Sequence, residues 1–164
     1  MLLSRPRTGF FLIALGCAAA MGFALYAQYQ MGLEPCPMCI MQRVAVIVVG
    51  LLALIAALVN PKDWGIKFSA LLVTLAALTG GGVAARQVWL QHLPADQVPA
   101  CGPGLDYMLE TMPMADVLAK VFHGSGECAR VDWTFLGQSM PFWSGVFFIG
   151  VIVFTWGLVA SRRR

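Results

Sequence analysis

Charge is what this sequence has least of. Asp, Glu, Lys and Arg make up 12% of its 164 residues, about half of what an ordinary soluble domain uses to face water. A soluble globule is thereby excluded. Eleven Lys and Arg against eight Asp and Glu leave a formal net charge of +3, too weak and too scattered for a nucleic-acid-binding protein. Disorder is excluded as well, because 59% of the residues are hydrophobic. What remains is a small integral membrane protein, all-α, with residues 1–164 forming a single integral membrane domain.

A bilayer core about 30 Å thick takes roughly 20 apolar helical residues to cross, since lipid offers backbone N–H and C=O groups no partner. Four stretches qualify, predicting a four-transmembrane-helix bundle over residues 10–29, 37–59, 68–85 and 142–160. The second is apolar apart from Gln42 and Arg43 and stops at Asn60-Pro61. The third is closed by Arg86 and the fourth by Arg162, Arg163 and Arg164. Residues 86–141 are long, polar and rich in Gly and Pro, so they read as a loop outside the hydrocarbon. Within that loop, residues 113–122 read as one short amphipathic helix, with Met114, Val117, Leu118 and Val121 on one face and Asp116 and Lys120 turned away. Such a helix is expected to lie parallel to the membrane surface.

Arg and Lys near membrane helix ends favour the cytoplasmic side. One side carries Arg5, Arg7, Lys62, Lys67 and Arg162 to Arg164, with Asp63 as its acid; the other carries Glu34, Asp96, Asp106, Glu110, Asp116, Glu127 and Asp132 among fewer cations. Both termini are therefore expected in the cytoplasm, and Cys36, Cys39, Cys101 and Cys128 on the outer face. A cleavable signal peptide ending near Ala18-Ala19-Ala20 is disfavoured, because the apolar run continues past that site. The Ala14-Leu15-Gly16-Cys17 stretch is a poor acylation site, and Cys17 reads as packing.

Disulfides persist in oxidising compartments, which suits an even number of outward thiols. A purely structural reading staples the loop through Cys101 and Cys128 and leaves Cys36 and Cys39 to explain. Two cysteines separated by two residues at a helix start share a face about 5 to 6 Å apart, within disulfide reach. A bond there closes almost no loop and adds little stability. The helix N-terminus instead favours reactivity, because its unpaired N–H groups and positive dipole end stabilise a thiolate. Pro35 and Pro37 fit the same first turn. One turn on, Arg43 shares the face, either snorkelling to the interface or acting as a fixed cation beside the Cys39 sulfur or the carbonyl of an electron acceptor. Cys101, in Pro99-Ala100-Cys101-Gly102-Pro103-Gly104, and Cys128, after Gly124-Ser125-Gly126-Glu127, sit on backbone expected to move, as thiol exchange requires.

Cys36-Pro37-Met38-Cys39 followed by Arg43, the outer pair Cys101 and Cys128, Trp133-Thr134-Phe135-Leu136-Gly137 and Met140-Pro141-Phe142-Trp143 together resemble the bacterial DsbB family of membrane disulfide-bond oxidoreductases. The resemblance covers nearly the whole chain. It implies an enzyme of the bacterial inner membrane in which Cys36, Cys39, Cys101 and Cys128 are catalytic. Reduced DsbA, a periplasmic thioredoxin-fold partner, would attack Cys101 and release Cys128; Cys36 and Cys128 would form a transient disulfide, freeing Cys39 as a thiolate against a quinone with Arg43 close by. The acceptor implied is ubiquinone from the membrane quinone pool, or menaquinone without oxygen. DsbA, DsbB and quinone are the standing example of a compartment kept oxidising kinetically, and DsbA, at about −120 mV, is too oxidising for an ordinary thiol buffer to recharge. A similarly placed family histidine marks His92, just past the third helix, as a quinone contact.

Two rival readings come from other classes. Cys36, Cys39, Met31, Met38 and Met41 offer soft ligands to Cu(I), although no histidine lies near the two cysteines. An inert four-helix scaffold with structural staples is the other. Haem attachment is excluded because Ile40, not His, follows Cys39. A thioredoxin-like fold is excluded because no strand-helix-strand pattern surrounds the pair. Trp133, Phe135, Trp143 and Trp156 read as interfacial anchors, and Gly80-Gly81-Gly82 as a close helix contact.

Overall fold

A computed structural model describes residues 6–62, 64–94, 96–100, 102 and 105–161. Four of its helices are long and apolar enough to cross a membrane: α1 (Pro6–Gln30), α2 (Pro37–Val59), α3 (Trp64–Gln91) and α7 (Met140–Ser161). The bundle is turned inside out relative to a soluble one. Small residues fill its interior, with Ala53, Ala70, Ala77 and Ala84 fully buried, while Leu51, Ile55, Leu75, Leu78, Ile149 and Val153 stand about half exposed or more on its outside. Lipid covers such a surface at no cost, whereas small inward residues let the backbones approach.

α1 packs on α2, α2 on α3 and α3 on α7, whereas α1 and α7 touch sparsely. The inward stripe of α3 runs Ala70, Val73, Ala77, Gly80, Ala84, a 3-4 spacing that suits nearly aligned helices. At Gly80 the approach to α7 is closest, since a Cβ there would lie 2.3 Å from the ring of the fully buried Phe148. Cys17 packs against Gly50 in the same core. At the other end of α2, Asn60 adopts the left-handed conformation (φ 48°) and donates its N–H to Ala56 O, a helix stop that Pro61 reinforces.

The third helix runs further than its apolar composition indicates. It continues through Arg86 to Gln91, so the connecting segment begins after Gln91 rather than at residue 86. Arg86 does not end the helix; its guanidinium donates to Phe122 O (3.4 Å) and His123 O (3.1 Å) and lies 4.3 Å over the Trp89 ring. The loop packs back on this extra turn and a half, which holds it helical beyond the apolar run.

The loop contains α4 (Leu105–Thr111), α5 (Met114–His123) and α6 (Gly126–Ala129), of which α5 matches the expected amphipathic helix. Its apolar residues divide between two directions. Val117 and Val121 are buried with Met38, Val83, Leu90, Met108 and Cys128, whereas Met114, Leu118 and Phe122 face outward. A hairpin follows, pairing β1 (Thr134–Phe135) antiparallel with β2 (Gln138–Ser139). Its two turn residues, Leu136 and Gly137, both have positive φ (52° and 76°), as a two-residue turn matching strand twist requires.

Candidate functional site

The site forms where α2 begins. Pro37 opens the helix and Cys36 caps it, its Sγ accepting the Cys39 N–H at 3.4 Å. The Cys36 and Cys39 sulfurs are 3.1 Å apart as hydrogen-bonded thiols. Gln87 arrives from the extended turn of α3. Its Nε2 donates to Cys36 Sγ and to Cys39 Sγ, each at 3.3 Å, and reaches Cys128 O at 3.5 Å. Gln42 fixes that amide by donating from Nε2 to Gln87 Oε1 at 2.7 Å. Both glutamines are buried, at 5% and 2% exposure.

Cys128 comes to the same place from the loop, 1% exposed in the small core beneath α5. Its own N–H donates to Ser125 O at 2.9 Å, and its Sγ lies 3.6 Å from Ser125 Oγ. The Cys36 thiol, as a hydrogen-bond donor, lowers the Cys128 thiol from its ordinary 9.0 to about 6; burial opposes this, and the backbone of Met38 and of Ser125 assists it. Cys36 is pushed up in consequence, chiefly by sharing its proton with Cys128 and then with Cys39. The anion-stabilising start of α2 thus serves the loop cysteine, through the Met38 backbone. The backbone expected to move at Cys128 is packed here, with the side chain buried. Cys101 lies outside the described residues. Its neighbours Ala100 and Gly102 line, with Ser125 and Cys128, a cavity of about 490 Å³, and Ala100 O accepts the Gly126 N–H at 3.4 Å.

A larger cleft of about 950 Å³ opens on the other side of the sulfurs, between α1 and α7. Cys36, Cys39, Gln42, Gln87 and Arg43 line its inner wall, and Ala24, Phe147, Trp133 and Trp143 are among its apolar contributors. A chain of rings crosses from α1 to α7 at its outer side: Phe23 to Trp133 (5.8 Å), Trp133 to Phe135 (6.1 Å) and Phe135 to Trp143 (5.8 Å). These aromatics, expected as interfacial anchors, also build the wall of a cavity.

Arg43 faces the cleft but holds α1 rather than a sulfur. Its Nη1 donates to Gln28 Oε1 at 2.5 Å and its Nη2 to Ala24 O at 3.1 Å. His92 stands apart. It is exposed, its Nδ1 lies 2.8 Å from Val88 O, and the α3 residues on the cleft are Gln87 and Gln91 instead. Among the described residues, no three His, Cys, Asp or Glu side chains are placed to hold a metal ion.

Gln42 and Gln87 carry no motif, and sequence reasoning passed over both as site residues. A signal was present nonetheless. Extending the inward stripe of α3 by three residues from Ala84 lands on Gln87, and the stripe Val46, Val49, Ala53 of α2 extends back by four to Gln42. Two amides on inward stripes at one end of a membrane bundle require each other as partners.

The family model described as "Disulfide bond formation protein DsbB" matches residues 6–158. A disulfide bond formation protein B of Chromobacterium violaceum is 61% identical over 158 residues, covering 96% of this chain and 95% of that protein. One from Hahella chejuensis is 54% identical over 157 residues (96% and 94%), and one from an Azoarcus species is 46% identical over 162 residues (98% and 97%). With four membrane-crossing helices and a Cys-x-x-Cys at the head of the second, the chain belongs to the DsbB family of disulfide bond formation proteins, multi-pass proteins of the bacterial membrane.

Proposed function

We propose that this chain reoxidises a DsbA-like periplasmic protein and passes the electron pair to a membrane quinone. The convergence of Cys36, Cys39 and Cys128 at the start of α2, at the head of a cleft open between two membrane helices, carries this reading. In the first exchange, a thiolate of the reduced partner attacks Cys101 of a Cys101–Cys128 disulfide, and Cys128 leaves with the electron pair. Cys128 then attacks Cys36 of a Cys36–Cys39 disulfide. The Cys36–Cys128 bond forms, the Cys36–Cys39 bond breaks, and Cys39 departs as a thiolate facing the cleft.

The cleft residues fit a quinone. Apolar and aromatic walls suit its ring and tail, and the Arg43 guanidinium presents the donor that a carbonyl oxygen needs. A bound quinone supplies a two-electron acceptor. Arg43, tied to Gln28 and Ala24, is held as a preorganised cation, and lowering its freedom in advance saves that cost on binding. His92 is left out of this site. The outer face of the bundle, with Cys36, Cys39, Cys101 and Cys128, is proposed as periplasmic and the termini as cytoplasmic.

The deciding experiment mixes the purified protein with reduced DsbA and ubiquinone and follows quinone absorbance. Wild type is expected to turn over, Cys39→Ser to lose quinone reduction, and Cys101→Ser to lose reaction with the partner. Turnover by Cys39→Ser at the wild-type rate overturns the reading.

A further inference from the structure

The two buried glutamines are more than filling. One amide, Gln87, reaches both sulfurs of the Cys-x-x-Cys pair at the start of α2 and the backbone carbonyl of the third cysteine in α6. Its –NH2 group has two hydrogens, so three acceptors share two donors. Charge decides such a competition, because a hydrogen bond to an ionised acceptor is roughly twice as strong as a neutral one. At 2% exposure, water is not at hand to substitute.

The orientation of the amide is also built in. A glutamine turned over would present its oxygen to the sulfurs and repel a thiolate. The Cys128 carbonyl can only accept and so holds the –NH2 on the side of the sulfurs, while Gln42 donates to Gln87 Oε1 at 2.7 Å and keeps that oxygen occupied, with the Cys39 thiol a longer 3.7 Å from it. The Gln42 side chain itself is 5% exposed and has this amide as its partner.

We propose that Gln87 is a catalytic hydrogen-bond donor, oriented by Gln42, that stabilises the negative charge arriving on Cys39 when the Cys36–Cys39 disulfide is opened. An attacking thiolate forms a bond to Cys36 Sγ, the Cys36–Cys39 bond breaks, and the electron pair leaves on Cys39 Sγ, towards which a Gln87 N–H is already directed. Exchange is faster when the departing sulfur is the better leaving group. Gln42 is a positioning residue in the same step. The inference deepens the proposed function, but it concerns the opening of one disulfide and can be tested without partner or quinone.

The full chain carrying Cys17→Ser, Cys101→Ser and Cys128→Ser keeps a single Cys pair, and the Cys128 carbonyl remains. Dithiothreitol then opens the Cys36–Cys39 disulfide, followed by acid quench and mass spectrometry. Gln87→Met preserves volume without a donor and is expected to slow opening by about 10- to 100-fold, as for a lost hydrogen bond to a charged group. Gln87→Glu at pH 8 faces the leaving sulfur with acceptors and is expected to slow it at least as much. Gln42→Met, which frees the amide to turn over, is expected to slow it by a smaller factor. Thermal unfolding in detergent identifies folded variants. Opening of the folded Gln87→Met chain within twofold of the parent rate overturns the inference, because a packing role survives that substitution. In the unsubstituted chain with reduced DsbA and ubiquinone, Gln87→Met should lower kcat and leave the KM for the partner unchanged. Absence of any wild-type turnover there overturns the proposed function and leaves the dithiothreitol result standing.

Discussion

Removing the Cys36 thiol should change the shape of the Cys128 pH profile more than its height at neutral pH. With its thiol lowered from 9.0 to about 6, Cys128 at pH 7 is about 90% thiolate, against about 1% for an ordinary cysteine. That 90-fold excess does not become a 90-fold rate. Intrinsic nucleophilicity falls with thiol acidity, with a Brønsted slope of about 0.4–0.5, so three units remove roughly 20-fold and leave a net gain of about fourfold. The sign follows from the direction of the shift. Wild-type Cys128 should react at a level rate above pH about 6 and fall off below it, and above pH 9 an ordinary thiol should overtake it by roughly 20-fold.

The perturbation is Cys36→Ala in a chain also carrying Cys17→Ser, Cys39→Ser and Cys101→Ser, with the same chain retaining Cys36 as reference. A small aliphatic disulfide is the reagent, and oxidation of Cys128, as the mixed disulfide or as the Cys36–Cys128 bond that follows it in the reference chain, is counted by peptide mass across pH 4 to 10. Burial slows both chains alike and leaves the shapes comparable. Loss of Cys36, the largest cause, should move the acid limb upward, and the plateau should rise as it does. The Met38 and Ser125 backbone contacts keep the limb below that of a free cysteine. An acid limb unmoved by Cys36→Ala would refute the account of Cys36 as the donor.

Gly80→Ala should destabilise the protein by about 1–3 kcal/mol, because its Cβ meets the Phe148 ring at 2.3 Å; thermal unfolding in detergent measures the loss, and Phe148→Leu should recover part of it. Arg43→Met should raise the KM for quinone by about tenfold or more while leaving the KM for the reduced partner unchanged, since a cation and its ties to Gln28 and Ala24 are removed together. A membrane-impermeant maleimide should label Cys36 and Cys101 from the periplasmic side in reduced cells, and labelling from the cytoplasmic side alone would reverse the proposed topology.

Much of the architecture was legible because lipid imposes a simple rule on composition. Each apolar run became a long helix, and Pro35-Cys36-Pro37 marked the start of α2 where the Cys36 cap stands. The end of α3 was not legible for the same reason. Arg86 marks where lipid contact ceases, whereas the helix ends only where the packing of α5 and α6 releases it, at Gln91. The chemistry-bearing cysteines announced themselves by spacing, but their convergence did not, since residues 36 and 128 are joined by the burial of Val117, Val121 and Met108, which no local pattern specifies. Arg43 was legible as an expensive residue, yet its hold on α1 depends on Gln28, a polar residue without a motif.

The seam between α1 and α7 is the thinnest in the bundle, and the cleft lies along it beneath a line of aromatic rings. A doorway in the flank of a protein, rather than in its mouth, turns supply into a two-dimensional encounter. For a carrier dissolved in lipid, the pace of delivery follows the number of molecules per area of bilayer, and diluting the surrounding water leaves it untouched. Under the proposed function, crowding and fluidity of the membrane become kinetic variables of the reaction, while the soluble partner arrives at the other side of the sulfurs in three dimensions.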